Sequence, residues 1–334
     1  MATPRTDLKA NSARPGALAA PVPGVEQQQQ VAQDIASTPP PVLAYQAGGF
    51  AKSCGAKFVI DTQDLWPEAF YSFLPGIFRQ IAYPFFVPMY RKVQKTYKLA
   101  DFIICTSQGY LERAKRTGAA KKPYAIIPLG LDYAFFNSKI EEGCRKEFTK
   151  PAGEIWFIYG GSLTRNHDFL TPIKAFAKIY KSLKFPARLF VAGQGYMYEK
   201  AKKIIAQLDS ANIILTGFLD VGTYTYLLKQ CDVGFNCSWP ETNIHLPYKL
   251  FYYFAAGIAV LNTMPGECSE ILSRNDCGLD YKAGNVDNCA EAIKKVINDM
   301  TKLHTMQKNS RHLAQTVYDR DRLYQKYIDV IEKL

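Results

Sequence analysis

The stretch Ile155-Trp156-Phe157-Ile158-Tyr159-Gly160-Gly161-Ser162-Leu163-Thr164-Arg165-Asn166-His167-Asp168 decides the fold. Its first part is apolar without alternation, as in a strand buried on both faces. Two glycines and a polar turn follow. From Asp168 to Leu183, Phe169, Ile173, Phe176, Tyr180 and Leu183 then fall on one stripe of a predicted helix. A strand, a glycine turn and an amphipathic helix make the opening unit of a parallel, doubly wound sheet.

The same alternation extends in both directions. Short apolar runs at Arg188–Gly193, Ile213–Gly217, Val233–Asn236, Ala259–Asn262 and Gly278–Tyr281 complete a six-strand Rossmann-like lobe. Upstream, only Lys57–Asp61, Asp101–Thr106 and Ala125–Leu129 read as strands. A helix is predicted over Val42–Gly55, and another between Ser107, a suitable N-cap, and Gly118, a suitable C′ residue. The expected fold is α/β with two Rossmann-like lobes, the N-terminal one incomplete. Residues 1–38 are rich in Ala, Pro and Gln and read as a disordered tail. Residues 39–137 form the partial first lobe, 138–316 the second, and 317–334 a helix packing back toward the first.

Composition narrows the function. The 334 residues carry a net charge of +11, which suits an anionic partner such as a nucleotide or a phospholipid surface, although a basic solvated surface explains it equally well. Eight cysteines are scattered with no C-x-x-C spacing, and there are only four histidines, so no metal site is expected. Several cysteines, such as Cys105, lie in apolar runs as small core residues of a reducing compartment. No apolar run approaches the ~20 residues that span a bilayer. The start carries no h-region, and no nucleic-acid motif is present.

Several turns could carry chemistry. Gly160 and Gly161 end a strand before a helix N-terminus, a setting in which backbone N–H groups meet phosphate and Arg165 could add a cation. Gly193 and Gly195 close the next strand on the same sheet edge, where ligands of open α/β sheets bind. In Leu246-Pro247-Tyr248-Lys249-Leu250-Phe251, Lys249 stands in the first turn of a helix, where a cation opposes the dipole. A phosphate clasp would explain that charge, and so would snorkelling from a packed helix. Glu267 and Glu270 follow the strand Ala259–Asn262; they could hold sugar hydroxyls or simply complement a helix N-terminus. Asp64, in Asp61-Thr62-Gln63-Asp64-Leu65-Trp66-Pro67-Glu68, could face a cleft or cap a turn.

In order, the segments Asp64-Leu65-Trp66-Pro67-Glu68, Ala100–Ser107, Ile127–Phe136, Gly160-Gly161, Pro247-Tyr248-Lys249-Leu250-Phe251 and Gly257–Leu261 resemble glycosyltransferase family 4, especially its bacterial surface-polysaccharide branch. The resemblance covers roughly residues 38–334. It implies the two-lobed GT-B fold and a retaining, metal-independent hexosyltransferase with no cofactor. It also implies a UDP- or GDP-linked sugar donor held by the second lobe. Arg165 and Lys249 would neutralise the diphosphate, Gly160 and Gly161 would approach it by backbone, and Glu267 would lie near the sugar. Asp64 and Glu267 are the catalytic candidates; Gly193, Gly195, Tyr252 and Glu270 join the donor set. The Asp319-Arg320-Asp321 triplet is then a chance match to a metal-binding D-x-D pattern.

Two departures stand out. Tyr252 occupies a position where that family carries an acid toward the ribose, and no glycine-rich first unit is found upstream. The expected partners are a nucleotide sugar and a glycan or lipid-linked acceptor, with peripheral membrane contact through the basic aromatic stretch Phe78–Lys98 at the cytoplasmic membrane face. A non-catalytic nucleotide-sugar binder, or a subunit completed by a partner chain, is the alternative. A nucleotide-sugar epimerase ranks third.

Overall fold

The computed structural model describes residues 33–38, 40–71, 74, 76–142, 146–208, 210–242 and 244–334. The first lobe runs β1 (Gln33–Thr38), α1 (Pro41–Ser53), β2 (Lys57–Thr62), α2 (Glu68–Tyr71), α3 (Gly76–Leu99), β3 (Phe102–Cys105), α4 (Gln108–Ala114) and β4 (Tyr124–Ile126). The second runs α5 (Tyr133–Glu142), β5 (Ile155–Gly160), α6 (Leu170–Ile179), β6 (Ala187–Ala192), α7 (Tyr198–Gln207), β7 (Ile213–Gly217), α8 (Val221–Gln230), β8 (Val233–Asn236), α9 (Tyr248–Ala256), β9 (Ala259–Asn262), α10 (Glu267–Arg274), β10 (Gly278–Asp280), α11 (Val286–Asn298) and α12 (Met300–Thr316). The last helix is α13 (Arg320–Glu332).

Two parallel sheets result, β1-β2-β3-β4 and β10-β9-β8-β5-β6-β7. All nine apolar runs are strands. A tenth, β1, falls inside the segment read as a disordered tail, which corrects the boundary at residue 38: the first lobe includes residue 33. Residues 1–32 of that segment lie outside the described residues. The strand escapes a pattern reading because Ile35 and Ala36 are its only apolar side chains. It is held by pairing with β2, from Gln33↔Lys57 to Thr38↔Thr62. Helix α6 is also shorter than its apolar stripe, ending at Ile179 before a 3-10 turn over Tyr180–Ser182.

The order of the first sheet explains its layering. Sequential parallel strands with right-handed crossovers place the connecting helices on one face. There Phe58, Ile60, Ile103 and Cys105 meet Ala51, Val93, Tyr97 and Leu111 of the helices. Alternate residues Val59 and Ile104, with Ile127, point to the other face. That face is covered by α13, through Leu323, Tyr327, Val330 and Ile331. The last helix thus covers the first sheet. The connection returns beside Leu131, whose N–H donates to Tyr318 O at 2.9 Å and whose carbonyl accepts from Arg320 N–H at 3.1 Å. Asp319 is therefore the extended residue just before α13, and only Arg320 and Asp321 of the D-x-D match are helical.

The second sheet is buried on both faces. Phe157 and Tyr159 enter one apolar layer, Trp156 and Ile158 the other. Among the described residues, no helix is long and apolar enough to cross a membrane.

Candidate functional site at the switch point of the second sheet

From β5 the chain adds β6 and β7 on one side, then returns to place β8 and β9 on the other. Between β5 and β8 the winding direction reverses, and in open α/β sheets this is where a crevice opens at the carboxyl ends of the strands. The pairing shows it. β5 and β8 are matched only at Phe157↔Val233 and Ile158↔Gly234. Beyond that the strands part, and the Tyr253 hydroxyl fills the gap. It accepts from Gly160 N–H at 3.1 Å and donates to Phe235 O at 3.2 Å. The loops beyond are tied by His167 Nδ1 to Ser238 Oγ at 2.9 Å and by Trp239 N–H to Asn166 O at 3.2 Å.

Lys249 lies in this crevice. Pro247 starts α9 without needing to donate, and Gly257 ends it in the left-handed region at φ 69°. The helix buries Leu250, Phe251, Tyr253 and Phe254. That packing turns Lys249 inward. Its Nζ is buried, has no hydrogen-bond partner, and stands 4.4 Å from the centre of the Tyr159 ring. Burial pulls its pKa down to about 8. His167 is pushed to about 3, by burial first and by the Lys249 charge second, and so is neutral. A buried cation with a ring face beside it but no hydrogen-bond acceptor is costly, and the usual resolution is an anionic ligand or loss of the proton.

Gly161 lies beside it. A Cβ built there would come within 3.0 Å of Lys249 Nζ, at a φ of 146° that L side chains rarely adopt. Gly161, Ser162, Gly193, Gln194, Phe218 and Tyr224 line an open pocket of about 320 Å³ at the ends of β5, β6 and β7. Arg165 is exposed on the same loop, its N–H donating to the Tyr196 hydroxyl at 2.8 Å.

The other candidates separate by role. The Gly160 N–H is taken by Tyr253, and a Cβ there would lie 2.0 Å from the Tyr224 hydroxyl. It is a packing glycine, not a backbone donor for a ligand. Gly193 and Gly195 let two loops cross: a Cβ would lie 1.9 Å from Gly161 O at the first and 2.3 Å from Leu163 O at the second. Gly193 also lines the pocket, whereas Gly195 supports it from outside. Tyr252 stands in an aromatic cluster with Phe136, Tyr224 and Tyr248, ring centres 5.5–6.0 Å apart. Glu270 is an exposed residue paired with Arg274 one turn on, at 3.3 Å, and takes no part in the pocket.

Glu267 reaches across to the first lobe. Its Oε2 accepts from the Gln108 N–H of the first lobe at 2.9 Å, and burial raises its carboxyl pKa. Asp64 Oδ1 accepts from the adjacent Leu65 N–H at 2.7 Å. In the same motif Glu68 forms a two-pronged pair with Arg113, at 2.8 and 2.9 Å, and Arg113 also donates to Trp66 O at 3.0 Å. The motif is thus a buttressed corner. Sequence reading missed Tyr159, His167 and Tyr224. Set singly in a strand, a loop and helix α8, they left no pattern, although Tyr159 directly precedes the glycine pair.

Residues 141–313, which hold this crevice, match the family described as glycosyl transferases group 1. An uncharacterized glycosyltransferase of Methanocaldococcus jannaschii is 23% identical over 71% of this chain, and the chain spans about 60% of that relative's length. Among solved structures, Anabaena HepE in complex with UDP superposes with a TM-score of 0.69 at 16% identity, over 90% of this chain and 79% of its own. WaaG, a glycosyltransferase involved in lipopolysaccharide biosynthesis, does so with a TM-score of 0.64 at 18% identity, over 85% of this chain and 80% of its own. These likenesses establish the fold as two Rossmann-like lobes of the GT-B type. With the glycine turn, the strand reversal and Lys249 all inside the matched span, the chain belongs to the glycosyl transferases group 1 family.

Proposed function

We propose that this chain binds a UDP- or GDP-linked sugar at the second-sheet crevice and transfers the sugar, with retention and without a metal, to a lipid-linked or polysaccharide acceptor in the cytoplasm. One observation carries the reading: a buried, unpartnered Lys249 ammonium beside a glycine turn, at the switch point of a parallel sheet. A diphosphate there would meet Lys249, with Arg165 within the same loop system. Departure of the sugar leaves negative charge on the diphosphate, and fixed cations in a water-poor site stabilise it as it develops. The UDP bound by HepE supports this choice of ligand.

A second reading has its own support. Tyr252 cannot supply the carboxylate of the resembled family, and Glu267 is engaged with the first lobe. Both favour a nucleotide-sugar binder that does not turn over by itself, or a subunit that a partner chain completes. Calorimetry with UDP, GDP and their sugar conjugates, in chelator, against Lys249→Ala tests the site. Binding of one nucleotide that the variant loses supports it, and no binding by any overturns it. Release of nucleotide from the bound donor, with and without candidate acceptors, then separates transferase from binder.

A further inference from the structure

Helix α3 is not packed along its length. Its buried residues are Val93, Thr96 and Tyr97, all in the last third. No side chain between residues 76 and 90 is fully buried, and only one side of these about 22 Å of helix is half-buried against the protein, through residues such as Phe86, Val87 and Tyr90. The exposed part is apolar: Ile77 is 67% exposed, Phe78 55%, Ile81 61% and Phe85 81%. At about 100° per residue these four span an arc of about 100°, with the half-buried Phe86, Val87 and Tyr90 on the opposite side of the helix. Arg79 is the single charged residue between 76 and 90, and its Nε donates to Leu74 O at 2.8 Å, on the protein side. A stack of Phe70 on Phe86, ring centres 6.1 Å apart, fixes this half of the helix to α2.

The charge changes abruptly at residue 91. Arg91, Lys92, Lys95 and Lys98 follow with no acid among them, and Lys122 reaches the same end of the helix, donating to Lys98 O at 2.9 Å. An exposed apolar rod with one charge, rising from a cationic collar, matches the interfacial region of an anionic leaflet: apolar side chains enter the headgroup–acyl boundary while cations meet lipid phosphates.

We propose that residues 76–90 of α3 are a monotopic membrane anchor, with Ile77, Phe78, Ile81 and Phe85 entering an anionic lipid leaflet and Arg91, Lys95 and Lys98 holding its phosphates. This goes beyond the transfer reaction and does not depend on it, because lipid binding is read without donor or acceptor.

The full chain is floated with vesicles of phosphatidylcholine alone and of phosphatidylcholine with phosphatidylglycerol. The expected result is binding to the anionic vesicles, reduced by salt. The F78E/F85E variant should lose about tenfold or more of it, and R91Q/K95Q a smaller part. V317E, changing an exposed apolar residue far along the sequence at the end of α12, should keep it. Unchanged thermal melting and nucleotide binding of F78E/F85E show that the loss is not unfolding. Binding that survives F78E/F85E overturns the anchor. So does failure to bind either vesicle, and if the wild type is then a dimer that F78E/F85E dissociates, a second copy covers this face instead.

Discussion

The Glu267 carboxylate of the second lobe accepts a hydrogen bond from the Gln108 N–H of the first at 2.9 Å. Gln108 opens α4 behind its N-cap Ser107, so an N–H that lacks an intrahelical partner is satisfied by an acid from the other lobe. The Gly109 N–H reaches the same carboxylate. Beside it His245 crosses the Tyr110 ring edge-on, ring centres 5.2 Å apart, where only a glycine at 109 leaves room. The contact is a latch across the cleft.

Glu267→Ala should loosen that latch, whereas Glu267→Gln, which keeps an acceptor oxygen, should largely hold it. A cost of about 1 kcal/mol is expected for the alanine variant, as for loss of a helix cap. Small-angle scattering should show a larger radius of gyration for the alanine variant only. Identical scattering and melting for both would show that the contact contributes nothing.

Lys249→Met should trade binding for stability. Removing a buried, unpartnered ammonium and filling its place with an apolar chain should stabilise the ligand-free protein by about 1–3 kcal/mol, while nucleotide affinity falls at least about tenfold. Thermal melting without nucleotide, paired with calorimetry, reads both. The stability gain should shrink as pH rises from about 8 toward 10.5, because the unfolded chain still holds the Lys249 proton there and the folded one has released it.

Nucleotide binding should weaken above about pH 8. Burial holds the ligand-free Lys249 near that value, and a bound diphosphate favours its charged form. The loss should approach about tenfold per pH unit until the complex itself releases the proton. A flat profile from pH 7 to 9 would remove Lys249 from the phosphate site.

Arg113→Ala should unfold the first lobe more readily than any surface change. Its pair with Glu68 is mostly buried, 9% and 16% exposed, so the variant leaves an unpaired acid at a cost of about 3–5 kcal/mol. Glu270→Ala, which breaks an exposed pair, should cost less than about 0.5 kcal/mol. Denaturant midpoints of the two variants compare them directly.

The sequence by itself determined the alternation of strands and helices and the second lobe, and it singled out the Gly161 and Lys249 segments, which the structure brings side by side. Apolar runs, glycine turns and helix stripes are local, and each is written in neighbouring residues. β1 was not legible, because a strand with two apolar residues depends on its partner β2. The roles of the site residues were not legible either. Glu267 and Glu270 look alike in sequence, yet one reaches across the cleft and the other faces solvent. Gly160 and Gly161 are neighbours, yet one packs under Tyr224 and the other opens beside Lys249. Only the tertiary structure decided these, because the direction of a side chain and the atoms it meets are set by segments distant in the chain: α4 for Glu267, α8 for Gly160 and β5 for Lys249.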